Sequence, residues 1–308
     1  MPNVRRELIF TIALFAIVKP ASAQTAPAPY SLPWQMRSVA AVSSVRSETT
    51  FASYEDPLAR RGLTTVQSLF FGYKIPGTGP AGAGLVPSIR LTMVNDSPPV
   101  GKGGVAFMNP AVAVSYTHKL DAFRLNFSLR FGIPVGMGGG NTPDEGQDNS
   151  RAKGVLARSA MENAIFAVND VSISPGVGLA YVKHGFTAQI EATLIHSRRV
   201  RGEARELEAS KTSFTSGLHV GYFFFPELSI GAEVRYQRYI DAPLVVEQDP
   251  TGTLIDNTTM AVGPRVHLHL GGRVWFRPGV AYARGLDKPM AAATPNYHIV
   301  QLDLPLSF

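Results

Sequence analysis

The sequence has no cysteine and only two tryptophans among its 308 residues. Without a thiol no disulfide can form, and a lipid anchor built on a cysteine at a cleavage site is excluded. Charge is sparse too: 17% of residues are charged, with a net of +6. That is too mild and too dispersed to point to nucleic acid. There is no GxxxxGKS loop, no GxGxxG opening a helix and no HExxH. Nor is there an apolar run of the roughly 20 residues that a membrane-spanning helix requires.

The longest apolar run, Leu8 to Val18, is preceded by Arg5 and Arg6 and followed by Ala21-Ser22-Ala23. A positive start, a short apolar core and an A-x-A site define a secretory signal peptide. Residues 1–23 are assigned to it, with cleavage after Ala23. Its removal takes Lys+Arg from 29 to 26 and Asp+Glu from 23 to 22, leaving +4. Residues 24–36 are rich in Ala, Pro and Thr and read as a periplasmic lead-in, with Trp34 as its interface anchor.

From Arg37 to Phe308 the sequence alternates between apolar and polar residues, as strands do when their two faces meet different surroundings. The clearest run is Phe123 to Val135. There Phe123, Leu125, Phe127, Leu129, Phe131 and Ile133 alternate with Arg124, Asn126, Ser128, Arg130 and Gly132. Twelve such strands are expected, the first (Arg37 to Tyr54) weakly patterned and the last running from Asn296 to Phe308. Connections after most even strands are very short; those after odd strands reach more than thirty residues. In the third long connection, Val155 to Val168 shifts to helical spacing and predicts one amphipathic helix.

The last strand alternates Val300, Leu302, Leu304, Leu306 and Phe308 with Gln301, Asp303, Pro305 and Ser307. It resembles the closing strand of Gram-negative outer-membrane β-barrels, whose terminal aromatic is read during assembly. Short periplasmic turns and long external loops belong to the same architecture. The expectation is an all-β fold: a closed antiparallel transmembrane barrel of about twelve strands, residues 37–308, in the outer membrane. The resemblance rests on pattern and transfers no site residue. It implies outer-membrane lipid, the barrel-assembly machinery and periplasmic chaperones as partners, with Phe308 as assembly signal. It also implies a passive channel or transporter role; a monomer without cofactor is expected.

The inner faces of these strands carry Arg90, Arg124, Arg130, Glu191, Glu233, Arg235, Gln237, Arg265, His267, His269, Arg277 and Asp303. Arginine outnumbers acid, as in pores that favour anions. The rival reading is an Arg–carboxylate network that fills and seals a narrow barrel. His267 and His269 share a strand face; as metal ligands they would need a third donor such as Asp303 or His219, and no metal is assigned. A rim hydrolase is the competing class, with His196, His298, Asp56, Asp96, Asp170 and Ser172 as candidates. A purely structural or surface-interaction barrel with a filled lumen is the third.

Overall fold

The computed structural model describes residues 30–158, 163–202, 210–252, 254–287 and 297–308. The signal peptide and residues 24–29 lie outside the described residues. Fifteen strands form one closed antiparallel sheet. They are β1 Ser44–Glu55, β2 Arg61–Gly72, β3 Gly84–Ser97, β4 Gly104–Phe107, β5 Ala111–Leu120, β6 Phe123–Gly132, β7 Asp170–Lys183 and β8 Phe186–Arg199. β9 Ser210–Phe225, β10 Leu228–Asp241, β11 Asp256–Val266, β12 Leu268–Gly271, β13 Val274–Phe276, β14 Gly279–Gly285 and β15 His298–Ser307 follow. β4 pairs only with β3, and β11–β12 and β13–β14 are each one interrupted stave, so the wall has twelve staves. Closure is made by β1 against β15, in register from Ser44↔Ser307 to Ser53↔His298. The Phe308 N–H extends this seam to the Ser43 carbonyl at 3.0 Å.

The outer face is apolar because lipid offers backbone and side chains no hydrogen bonds. Val177, Ile190, Leu218 and Phe127 project outward, each about half exposed. Phe123, Tyr181, Phe186 and Tyr222 cluster near the short turns, as an interfacial aromatic girdle would. At those turns, His184 and Gly185 both take positive φ (53° and 76°), the geometry of a tight hairpin turn. Val177 sits halfway along β7 on the lipid face. Val177→Arg is therefore expected to cost about 2–4 kcal/mol, the cost of a cation at the bilayer midplane. Urea unfolding of the refolded barrel in lipid vesicles checks this; an unchanged midpoint would place Val177 off the lipid face.

The first stave begins at Ser44, not Arg37. Its outward residues Ser47, Thr49 and Ser53 are polar, so its two faces barely differ and the alternation cannot mark its start. The third loop also departs from expectation. Its main helix, α1, is Glu145–Ala157, begun by Asp144, whose side chain accepts the Gly146 N–H at 2.9 Å. A four-residue turn, α2 (Asn163–Phe166), follows, and 159–162 lie outside the described residues. α1 buries Gly146, Ser150, Gly154 and Ala157. Small residues let it lie close against β4, where Ser150 Oγ donates to the Gly104 carbonyl at 2.7 Å. A third short helix, α3 (Leu244–Glu247), lies in the fifth loop.

Candidate functional site: the occupied lumen

The interior is layered. Near the long loops it is apolar: Ala52, Val66, Val94, Ala261, Ala283 and Ile299 face inward. Onto them pack Ala157, Ile165, Phe166 and Val168 of the third loop. Of the helical stripe expected from sequence, Ile165 and Val168 thus do meet the barrel interior, across the break after α1. Tyr297 stacks on Tyr54 in this layer at 5.5 Å between centroids. Burial, with Tyr54 and Asp96 beside it, pushes the Tyr297 phenol above its ordinary range.

Below, toward the short turns, the lumen is polar and holds a second insert. Residues 30–43 run inside the barrel. Trp34 is fully buried rather than anchored at the interface: its ring stacks under the Arg265 guanidinium at 4.1 Å. The wall is shaped for this segment. A Cβ on Gly221 would meet Ser31 Oγ at 2.0 Å, one on Gly279 would meet Trp34 at 2.4 Å, and one on Gly176 would meet the Arg37 guanidinium at 2.5 Å. Gly217 makes room for Met36 in the same way, at 3.0 Å.

The wall also satisfies the segment's backbone. The Glu233 carboxylate accepts the N–H of Trp34 and, at 2.9 Å, that of Gln35. Glu191 accepts the Arg37 N–H at 3.0 Å. Arg235 donates to the Gln35 carbonyl at 3.1 Å, Gln189 to that of Arg37 at 2.9 Å, and Arg46 to that of Trp34 at 2.7 Å. A buried segment outside the sheet needs such partners, since an orphan buried amide is costly.

Charges link the two inserts. Arg158, just past the end of α1, reaches down to Glu48. Glu48 also pairs with Arg46, Arg46 with Asp303 at 2.6 Å, and Asp303 with Arg265 at 2.7 Å. A chain of alternating charge therefore runs from the third loop to the Trp34 segment. Arg46, Glu48, Arg158, Arg37 and Trp34 were absent from the sequence-derived set. The weak alternation of β1 hid the first two. The interior glycines of β9, β10 and β14 were the available signal for the insert.

The expected lumen residues fall mostly on the inner face. Arg90, Arg124, Glu191, Glu233, Arg235, Gln237, Arg265, Arg277 and Asp303 are buried, and Arg130 is half-buried. Arg90 donates to Ser68 Oγ at 2.9 Å and Arg277 to Ser307 Oγ at 3.0 Å. Arg124 instead caps its own turn, donating to the Phe123 carbonyl at 2.8 Å. The two strand-spaced histidines part company: His267 is buried against Ser229 at 2.8 Å, whereas His269 is exposed beside the Gly272 carbonyl. The stave breaks between Val266 and Leu268, which ends the shared face. His219 lies between Ser31 and Glu233, each at 3.4 Å, and Asp303 between two arginines, so neither completes a site with His267.

The rim candidates are separated by the wall. His196 and His298 are exposed on the outer face, bonded to Thr212 Oγ1 and the Tyr282 hydroxyl at 3.0 Å. Asp96, Asp170 and Ser172 are buried on the inner one. Asp56 is in the first loop, where the Arg60 guanidinium holds its carboxyl below the ordinary range. His196 and His298 thus lie on the opposite side of the wall from Asp96, Asp170 and Ser172.

Between the insert, staves one to five and the last two staves lies a cavity of about 230 Å³. Trp34, Phe70, Arg46, Arg90, Arg130 and Arg277 are among the residues facing it.

No family model matches the chain, and no curated protein matches it by sequence. Its fold is similar to that of solved outer-membrane β-barrels. An outer membrane channel from Pseudomonas putida F1 aligns over 94% of this chain and all of its own, at 11% identity and a TM-score of 0.56. The NanC porin aligns over 86% of this chain and 98% of its own, at 10% identity and a TM-score of 0.51. At such identities the likeness is one of fold: a closed twelve-stave outer-membrane barrel.

Proposed function

We propose that the protein is an outer-membrane channel for small solutes, energy-independent, with an arginine-rich path closed at rest by its own N-terminal segment. One observation carries this reading. The polar half of the lumen is filled by a segment that belongs to no stave and is held through its backbone, so the wall would enclose an aqueous path without it. The two similar barrels are a porin and a channel, which agrees with the reading. The candidate path residues are Arg90, Arg130, Glu191, Glu233, Arg235, Arg265, Arg277 and Asp303, with Arg124 at its periplasmic end.

Planar-bilayer recording tests the proposal. The full chain is expected to show low or intermittent conductance, and a variant lacking residues 30–41 a steady conductance several-fold higher. Absence of conductance and of liposome solute flux in both would overturn the channel reading and favour a filled, structural barrel. Assembly is proposed to depend on Phe308, whose N–H extends the closing seam. Deleting Phe308 should leave unfolded precursor in the periplasm, visible as loss of the heat-modifiable band on gels; normal insertion would remove that role.

A further inference from the structure

Midway along β6, β7, β8 and β10 the outward residues are apolar, as Phe127, Val177, Ile190 and Val234 show. At the same depth β9 has a single polar one, Ser216. On β1 and β2 the polar residues cluster. Thr49 and Gln67 stand opposite each other across the pair, with Ser47 next along β1 and Thr65 next along β2. Their chain neighbours Glu48, Thr50, Val66 and Ser68 are buried on the inner side, so these four point outward. Apolar residues frame the cluster: Leu302 of β15 lies opposite Thr49, and Met93 of β3 opposite Gln67.

Hydrocarbon offers such groups no hydrogen bond, so a polar cluster at this depth is costly against lipid. A hydroxyl has one donor and two acceptor sites, and a side-chain amide has two of each. Bonds made within the wall therefore leave capacity over, which lipid cannot use and a second protein can. Short side chains let two walls approach closely, and hydroxyl and amide groups bond across the contact, as between membrane-spanning segments generally. Every group in the cluster both donates and accepts, so the cluster complements itself. The rim above repeats the pattern in charges. Glu55 and Arg61 sit opposite each other at the loop ends of the same two staves, 3.1 Å apart and exposed. Neighbouring opposite charges on one face are matched by the same pair turned through a half-circle.

We propose that the outer face of β1 and β2 is an interface between two copies of this chain, related by a two-fold axis normal to the membrane. A dimer then takes the place of the monomer expected from the sequence. The inference needs only the lipid-facing side of the wall and holds whether or not the lumen conducts. β1 also makes the closing seam and carries Arg46 and Glu48 on its inner side. The second copy thus braces the stave on which the charge chain is built.

Because the chain has no cysteine, introduced thiols report contact without background. In outer membranes from cells producing the full chain, Thr49→Cys is expected to yield a cross-linked dimer on oxidation or with a short bismaleimide. Ile190→Cys, on β8 at the opposite side of the barrel, should stay monomeric. In detergent, Gln67→Leu should raise the dissociation constant of the dimer about ten-fold, the scale of one or two hydrogen bonds across a membrane contact, while the heat-modifiable band persists. If Gln67→Leu fails to fold, Thr65→Val replaces it with the same expected direction. No dimer from Thr49→Cys with either reagent, or equal yields from Thr49→Cys and Ile190→Cys, overturns the interface. So does a cross-linked product of any other mass, which would mean that a different protein covers this face. An unchanged dissociation constant in the folded variant overturns the role of the polar cluster.

Discussion

Gly221→Leu is expected to open the barrel without unfolding it. Gly221 lies on the inner face of β9, and any side chain there would occupy the space of Ser31, whose Oγ sits 2.0 Å from the position of its Cβ. The wall itself loses no hydrogen bond, because the ladder to Gly231 on β10 and Thr187 on β8 is made by backbone. The insert, in contrast, must leave, and with it the Ser31 contacts to Thr187 and His219. Conductance in planar bilayers should rise several-fold, toward that of the variant lacking residues 30–41. Trp34 should become accessible to an aqueous quencher such as iodide while the heat-modifiable band persists. A variant as closed as the parent, with Trp34 still shielded, would show that the insert tolerates displacement and does not set the resting state.

The second large effect concerns the charge chain. Glu48→Gln removes the carboxylate shared by Arg46 and Arg158 while keeping its shape. Glu48 is 2% exposed and Arg158 4%, so both cations lose a partner in a place water barely reaches. Breaking a buried pair by removing one member costs about 3–5 kcal/mol. Urea unfolding of the refolded protein should show a loss of that size. Arg158→Met combined with Glu48→Gln should cost at least about 1 kcal/mol less than the two single losses together, because the second change no longer strands a charge. Strict additivity would mean that the third loop and Glu48 are energetically separate, and the link from α1 to the insert would fall.

The barrel was legible in the sequence where its two faces meet chemically different media. In β6, Phe123, Phe127 and Phe131 face lipid while Arg124 and Asn126 face the lumen, and the expected strand matches to within three residues. β8 was legible in the same way, with Phe186, Ile190 and Leu194 outward against Gln189, Glu191 and Thr193. β1 was not, because Ser47, Thr49 and Ser53 on its outer face carry no apolar signal. The insert was invisible for another reason. Its partners Glu191, Glu233, Arg235 and Gln189 hold main-chain groups, which every residue possesses, and the glycines that make room for Ser31, Trp34, Met36 and Arg37 are scattered over β7, β9 and β14. α1 escaped because it buries glycine, serine and alanine, which no hydrophobic period detects. The arginine-rich inner face was legible; its division into a charge chain, a turn cap at Arg124 and an aromatic-lined cavity required the registers of distant staves.

The closing seam pairs Ser44 with Ser307. Every wall residue that grips the Trp34 segment lies later in the chain, Arg46 just after it and Glu191, Glu233 and Gln301 at separations of 154, 199 and 267 residues. The segment is therefore synthesised before every wall residue that grips it. Contacts of such sequence separation form slowly. The closing seam joins residues just as far apart, up to Ser44 with Ser307. The insert therefore acquires its full set of partners only when the last staves are in place, and closing the wall and filling its lumen draw on the same late residues.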